Sequence, residues 1–179
     1  MTDAPRVRLR DVTLADADLL DAWANDPHDR GGFNDFGEER PPVPRDVLEK
    51  GPLRNERNGI LIIERVEDGA PIGTVGWHRV NYGPSPGSDA WNFGIEIVPE
   101  ERGRGYGSEA QRLLAGWLFE NTDLNRVEAS TDVENLAEQR ALEKAGFVRE
   151  GIQRGAQYRA GSHHDIVTYA LIRSDLDRT

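Results

Sequence analysis

The chain has 179 residues, a length typical of one domain with a substantial core, so we expect a single domain over residues 1–179. Its net charge of −10 argues against a nucleic-acid-binding protein, and the absence of cysteine excludes disulfides, thiolate metal sites and a cysteine nucleophile. No apolar run is long enough for a signal peptide or a membrane span, so we expect a cytoplasmic protein with no membrane partner and no metal ion.

The chain opens with a strand and a helix. Residues 7–13, VRLRDVT, alternate apolar and polar side chains, which predicts a short strand. Thr13 is followed by Asp16 and by LLDAW, so a capped helix is expected there. Residues 26–58 carry DP, GG, PPVP and GP around one weak helical segment, RDVLEK. We predict a long, partly irregular excursion of the kind that often grips substrates.

The sequence predicts three strands in the middle of the chain. GILIIERV and PIGTVGWHRV are separated by EDGA, whose Asp68 and Gly69 suit a hairpin turn, so an antiparallel pair is predicted. A further strand follows in WNFGIEIV, where four apolar residues occupy alternate positions and share one face: Trp91, Phe93, Ile95 and Ile97.

The second half alternates helices and strands. Residues 106–120 have apolar residues at helical spacing, and NRVEASTDV reads as a strand. A helix is expected from Asn135 to Lys144, ending before Gly146, and DIVTYALI supplies the last strand. The pattern predicts an α+β fold with mixed strand pairing.

A glycine-rich loop connects the strand at 91–98 to the helix at 106–120. It contains Arg102, Gly103, Arg104, Gly105, Tyr106, Gly107 and Ser108. Glycines let the backbone close on a ligand, and amides at a helix start bind anions, so the loop suits a phosphate group. It lacks the lysine of a P-loop, and Asp123 does not suit the acidic position of a dinucleotide-binding unit. A purely structural turn with solvated arginines stays an alternative.

Two motifs resemble the GNAT superfamily of N-acyltransferases. RGRGYGSEA after FGIEIVPE is similar to its acyl-CoA pyrophosphate loop, with Arg102, Gly105 and Gly107 at the pattern positions. ENLAEQRALEKAGF is similar to its second motif, with Asn135, Gly146 and Phe147 matching. The opening and closing segments resemble RimJ/RimL-type protein N-terminal acetyltransferases, and mainly residues 30–58 lack a counterpart.

The resemblance implies a fold and a co-substrate site. The fold would be a mixed, mainly antiparallel sheet of about seven strands flanked by helices, splayed between the strands at 91–98 and 126–132. The amides of residues 103–108, with Arg102 and Arg104, would hold the pyrophosphate of acetyl-CoA, and Ile97 and Val98 would bind the pantetheine arm. An amide near Val98 would be the oxyanion donor. Asn135 would bind pantetheine or cap its helix.

Attack by an amine on a thioester, which the resemblance implies, requires a base that removes a proton from the amine. Glu96 is the first candidate, because it interrupts apolar neighbours beside the expected thioester. Two alternatives are that Glu96 attracts a cationic substrate or pairs with an arginine. His78 and His164 are further candidates, although a structural role is favoured for His164 with Asp165.

The leaving thiolate would need an acid. The tyrosine that many superfamily members carry in the second-motif helix is replaced by Leu142, and the serine typical of the Rim type is replaced by Glu138. Glu138 is therefore a candidate catalytic residue. Its alternative role, which we favour, is a capping box with Asn135.

For the acceptor, we consider aromatic residues of the excursion and of the strands: Phe33, Phe36, Trp77 and Trp91. Aromatic surfaces suit an amine, although the first two could belong to a solvated loop and the tryptophans to the core. The predicted function is acetyl-CoA-dependent N-acetyl transfer to a primary amine, either a protein or peptide N-terminus or a small amine such as an antibiotic or polyamine. A non-catalytic acyl-CoA-binding module and a nucleotide-binding protein are the alternatives, and both a monomer and a homodimer stay open.

Overall fold

The computed structural model describes residues 4–85 and 87–176, and it contains one seven-stranded sheet in the order β1-β2-β3-β4-β5-β7-β6. The strands are β1 (Val7–Asp11), β2 (Asn58–Arg65), β3 (Pro71–Asn81), β4 (Asp89–Ile97), β5 (Arg126–Asp132), β6 (Val148–Arg159) and β7 (Ser162–Ile172). The longer helices are α1 (Ala17–Asn25), α4 (Tyr106–Asn121) and α5 (Leu136–Lys144). Single helical turns occur at α2 (Pro27–Arg30), α3 (Arg45–Leu48) and α6 (Arg173–Leu176). Within the described ranges, no helix has the length and apolar character to cross a membrane.

Local signals explain most element boundaries. Thr13 and Asp16 form a capping box at the turn before α1, as expected. Gly69 has φ 72° in the β2–β3 turn, a backbone conformation that favours glycine. Gly146 has φ 98° just after α5, where it ends the helix. The predicted excursion between α1 and β2 contains only the short turns α2 and α3.

The sheet is split in its middle. β4 and β5 are its only parallel neighbours among the described residues, and just two residue pairs join them, Trp91 with Val127 and Asn92 with Glu128. Beyond Asn92 the strands diverge, whereas β3 and β4 pair without interruption from Asn81 with Asp89 to Gly73 with Ile97. The predicted α+β class, the seven strands and the splay between β4 and β5 are confirmed.

A large apolar core lies between the sheet and α4. It includes Trp77 and Trp91, which are 4% and 3% exposed. The Trp77 ring lies 5.3 Å from that of Trp117, and the Trp91 Nε1–H donates to Thr122 Oγ1 at 3.1 Å. The prediction that these two tryptophans bind substrate is therefore wrong, because both belong to the core. A smaller cluster, which includes Leu20 and Ile62, packs on the opposite face of the sheet under α1.

Candidate active site

The divergence of β4 and β5 opens a cleft of about 630 Å³, called here the main cleft. Its walls come from five parts of the chain: the segment after α2, the end of β4, the glycine loop, the end of β5 and one face of α5. Their lining residues include Gly31–Asn34, Phe93–Ile97, Gly103, Gly105, Gly107, Ser108, Ala129–Thr131, Asn135, Glu138 and Arg140. The volume is in the range of small-ligand sites.

The glycine loop places a helix N-terminus on the main cleft. Gly103 and Gly105 have φ 75° and 84°, and Gly105 is the N-cap of α4. A Cβ built on Gly107 would meet nothing within 4 Å, so open space borders this first helical turn. The amides of Gly107 and Ser108 belong to the helix start, where no intrahelical carbonyl is in reach. The geometry suits an anionic group.

The two arginines of the loop differ in position. Arg102 lines the main cleft, where its Nε donates to the Ile97 carbonyl at 2.7 Å and its Nη2 donates to the Asp29 carbonyl. Arg104 instead pairs with Glu101 at 3.1 Å. Tyr106 packs on the core beneath the Arg6 guanidinium, 5.3 Å from its ring centroid. The prediction that the Arg104 side chain binds the co-substrate is not supported, because Arg104 lies outside the cleft lining. Tyr106 also lies outside that lining, and the predicted role of its backbone amide stays a prediction.

Backbone groups along β4 point alternately towards β3 and towards the split. Val98 N–H donates to the Ile72 carbonyl at 3.0 Å, while Ile97 faces Gly73 across the ladder. Because hydrogen-bonded and non-hydrogen-bonded pairs alternate in an antiparallel ladder, Ile95 and Ile97 direct their backbone groups away from β3 and into the split. The oxyanion donor was predicted near Val98, and the Val98 amide itself cannot be that donor because it already donates to β3.

Glu96 forms a bidentate ion pair with Arg40. Its carboxylate oxygens accept from Arg40 Nη2 at 2.6 Å and Nη1 at 3.0 Å. The hydrogen bond with Glu96 raises the pKa of the Arg40 guanidinium above its ordinary value, against the opposing effect of burial. Of the roles considered for Glu96, pairing with an arginine is the one that the geometry displays. The partner comes from the excursion, 56 residues away in sequence.

Glu138 lies at the start of α5 and faces the main cleft. The Asn135 side chain caps α5 by accepting from Glu138 N–H at 3.3 Å, but the Glu138 carboxylate accepts from Gln111 Nε2 at 2.6 Å. The predicted capping box is therefore only half present. Burial raises the pKa of Glu138 from 4.5 to about 7, although the bond from Gln111 acts in the opposite direction. Leu142, in place of the tyrosine, is fully buried.

Neither His78 nor His164 has the contacts that were considered for it. His164 Nδ1 lies 3.3 Å from Asp132 Oδ2, and Asp165 accepts from Gly155 N–H at 2.7 Å, so the expected His164–Asp165 bond is replaced by two separate ones. His78 is exposed and lines neither the main cleft nor the cavity described next.

A second cavity of about 330 Å³, called here the side cavity, lies on the α1 face of the sheet. Glu96 and Ile97 line both spaces, so the side cavity meets the main cleft at the end of β4. Of the two predicted aromatic acceptor residues, Phe33 lines the main cleft. Phe36 is 45% exposed and lies outside both spaces, so its predicted role is not supported.

Sequence reasoning missed two basic residues of the cleft wall. Arg140 and Lys144 both line the main cleft from α5. Their four-residue spacing is a sequence signal that they share one face of that helix. It also missed the contribution of Arg40 and of the proline segment 41–44 to the side cavity, because those contacts are distant in sequence.

Comparisons with known proteins agree with this geometry. Residues 6–148 match the family model of the acetyltransferase (GNAT) domain. A Bacillus subtilis protein described as uncharacterized N-acetyltransferase YoaA is 28% identical over 173 residues, which cover 96% of each chain. The structure of AAC(6')-Ib in complex with ribostamycin and coenzyme A aligns with TM-score 0.72 and 26% identity over 97% of both chains. Mycobacterium smegmatis RimJ in complex with CoA-disulfide aligns with TM-score 0.74 and 22% identity over 95% of this chain and 83% of that one, which supports the fold. The chain therefore belongs to the GNAT acetyltransferase family and is an acyltransferase.

Proposed function

We propose that the protein transfers an acetyl group from acetyl-CoA to a primary amine. The observation that carries this proposal is the split edge of β4. The backbone amides of Ile95 and Ile97 point away from β3 and line the main cleft, and Glu96 between them lies where the side cavity joins it. One space can hold the acetyl donor and the other its acceptor, with the reacting atoms meeting at the split.

The phosphates of acetyl-CoA would bind at the start of α4. Amides of the glycine loop and the α4 dipole supply partial positive charge, and Arg102, Arg140 and Lys144 line the same cleft. These cations matter because the chain as a whole carries a net charge of −10. Both AAC(6')-Ib and RimJ are described with CoA or a CoA derivative, which supports the same class of donor here.

The acyl end would lie farther along β4. Because the phosphate loop follows the carboxyl end of the strand and the split closes at Asn92, an arm that enters from the loop passes Ile97 before it reaches Ile95. Ile97 would bind the pantetheine arm, and the Ile95 amide would donate to the thioester carbonyl. A donor of this type contributes roughly a hundred- to a thousandfold in rate.

Two carboxyl groups carry the proton transfers of the proposed reaction. The amine nitrogen forms a bond to the carbonyl carbon and the carbon–sulfur bond breaks, giving an amide and a thiol. The acceptor binds as an ammonium ion and releases one proton to solvent, which leaves the neutral amine that attacks. The nitrogen then loses its second proton to Glu96 as the new bond forms, directly or through water, once Glu96 exchanges part of its contact with Arg40. Glu138, whose raised pKa keeps much of it protonated near neutral pH, donates a proton to the leaving sulfur.

The acceptor assigned by the Rim-type resemblance is a protein or peptide N-terminus. Small amines are the second candidate, which the likeness to AAC(6')-Ib at 26% identity favours. A homodimer stays a prediction.

The donor site can be tested with two matched glycines of α4. Both Gly107 and Gly116 accept a Cβ without a contact within 4 Å, but only Gly107 lines the main cleft. Alanine at either position stabilises a helix by roughly 0.5–1 kcal/mol. We expect Gly107→Ala to weaken acetyl-CoA binding about tenfold in calorimetry, and Gly116→Ala to leave it unchanged.

Acetyl transfer itself is measured as thiol release with a panel of peptides, polyamines and aminoglycosides, each with an amine-free control. Equal acetyl-CoA affinity in the two variants would contradict the site. Binding without thiol release for every amine would contradict the transferase assignment.

A further inference from the structure

The side cavity has an apolar wall. Its apolar lining includes Leu20, Trp23 and Ala24 of α1 together with Val43, Leu53 and Ile60, and the end of β4 also lines it. Small-ligand sites combine this kind of lining with a few placed polar groups. The wall therefore favours a ligand with a substantial apolar body.

The far wall is a preformed segment. Pro41, Pro42 and Pro44 restrict its backbone, and Asp21 of α1 accepts from Val43 N–H at 2.6 Å. Arg45 then pairs with Asp21 at 2.9 Å. Because the proline segment is fixed to α1 in this way, a ligand does not have to order it on binding.

The charges of the side cavity are few. Asp29, Arg40 and Glu96 are its charged lining residues, so one cation opposes two carboxylates and a single negative charge is left over. Arg40 occupies both oxygens of Glu96, the carboxylate at the junction with the main cleft. A ligand with one positive charge can be balanced here, whereas a polycation would bring uncompensated charges against an apolar wall.

We propose that the side cavity selects a primary amine with an apolar body and no second positive charge, and that Arg40 is the residue that rejects polycations. This inference rests on the proposed transferase function. The apolar body lies against Trp23 and the proline segment, and the ammonium group reaches Glu96 beside Arg40. The same chemistry is offered by a small arylalkylamine and by a peptide whose first residue is apolar.

The first experiment compares acceptors. Initial rates with acetyl-CoA are measured for 2-phenylethylamine, for tetrapeptide amides that begin with Phe or with Ser, and for spermidine and kanamycin. We expect kcat/KM for 2-phenylethylamine or the Phe peptide to exceed that for spermidine and kanamycin at least tenfold, and the two favoured arms identify the source of the amine. A preference for spermidine or kanamycin would overturn the inference and leave the transferase function standing.

The second experiment fills the cavity. Ala24 lines it, whereas Ala22 lies on the exposed side of the same helix, so Ala24→Trp and Ala22→Trp form a matched pair. We expect Ala24→Trp to raise KM for the preferred amine at least tenfold with KM for acetyl-CoA unchanged. Ala22→Trp should change neither. Equal amine KM values in the two variants would overturn the assignment of the cavity.

The third experiment removes the positive charge of Arg40, which we propose to reject polycations. Arg40 and Arg54 are both 39% exposed and both ion-paired, Arg40 with Glu96 and Arg54 with Asp11, but Arg54 does not line the cavity. Arg40→Gln should raise the ratio of spermidine to 2-phenylethylamine kcat/KM at least fivefold, and Arg54→Gln should not. An unchanged ratio in Arg40→Gln would overturn the role of Arg40.

Binding is measured separately from turnover. Calorimetry with the protein saturated with CoA reports whether 2-phenylethylamine or the Phe peptide binds, and whether Ala24→Trp prevents it. Absence of binding by both ligands would overturn the inference. A failure of acetyl-CoA to bind would instead contradict the proposed function, so the two failures are distinguishable.

Discussion

The main cleft and the side cavity meet at Glu96, yet they are assembled in opposite ways. The wall of the main cleft that we propose to bind phosphate comes from one continuous stretch, the glycine loop and the first turn of α4. The side cavity joins α1, the proline segment, the start of β3 and the end of β4, which are far apart in sequence. Local backbone conformation therefore forms the first site, whereas tertiary packing forms the second. If the two spaces have the proposed roles, acceptor preference can change without disturbing the donor loop.

The largest expected effect is on the junction between the two spaces. Glu96→Gln should lower kcat roughly 10²- to 10⁴-fold, because the proposed proton acceptor is lost, with acetyl-CoA affinity unchanged. Glu150→Gln is the control, since Glu150 also pairs with an arginine, Arg126, at 2.5 Å but lies outside both spaces. Stopped-flow or steady-state rates with the preferred amine measure the effect. A kcat within threefold of the unmodified protein would exclude Glu96 as the proton acceptor.

The next largest effect concerns a distant support of the main cleft. Arg159 and Asp132 form a buried ion pair at 2.5 Å, with side chains 5% and 1% exposed, and Arg159 also donates to the Phe33 carbonyl at 3.3 Å. Asp132→Asn leaves a buried guanidinium without its carboxylate, which should lower the free energy of unfolding by about 3 kcal/mol. Urea denaturation measures the loss.

A less buried ion pair, Asp68 with Arg65, whose side chains are 47% and 19% exposed, provides the control for that change. Asp68→Asn should cost clearly less stability than Asp132→Asn, because solvent screens the half-exposed Asp68 carboxylate. Similar losses in the two variants would show that burial does not distinguish the two pairs.

A smaller effect separates backbone strain from ligand binding. Gly105 and Gly87 have φ 84° and 87°, so alanine at either position should cost roughly 1–2 kcal/mol of stability. Only Gly105 lines the main cleft, and Gly105→Ala should also weaken acetyl-CoA binding about tenfold. Thermal unfolding and calorimetry together test this. Loss of affinity in Gly87→Ala as well would mean that global destabilisation, and not the loop, causes it.

The smallest expected effect is a pH dependence at Glu138. Because burial raises the pKa of Glu138 from 4.5 to about 7 in the folded protein, the folded state binds more protons than the unfolded state between these values. The contribution to stability is complete below pH 4.5 and is lost as pH rises through 7. Glu138→Gln should therefore match the unmodified protein at pH 4.5 and be more stable than it at pH 8. A stability difference independent of pH would contradict the raised pKa.

Sequence patterns predicted the parts of the fold that depend on local chemistry. The capping box at Thr13, the turn at Gly69 and the stop at Gly146 each reflect the conformational needs of one or two residues. The same holds for the glycine loop, whose left-handed positions at Gly103 and Gly105 only glycine adopts readily.

The remaining features depend on tertiary packing. Alternation along β4 gives the face of each side chain but not the phase of the backbone ladder, so the free amides at Ile95 and Ile97 could not be told from that of Val98. Trp77 and Trp91 are compatible with a cleft or a core until α4 is placed over them. The partners Arg40 of Glu96 and Gln111 of Glu138 lie 56 and 27 residues away, and no local pattern identifies them.

The short contact between β4 and β5 has a consequence for aggregation. Beyond Asn92 the strand carries an unpaired edge, and such an edge on a protein surface is a template on which another chain can add a strand. Here the edge faces inward, enclosed by α5, the glycine loop and the segment after α2. The strand edge is thus accessible to a narrow ligand but shielded from the backbone of another protein.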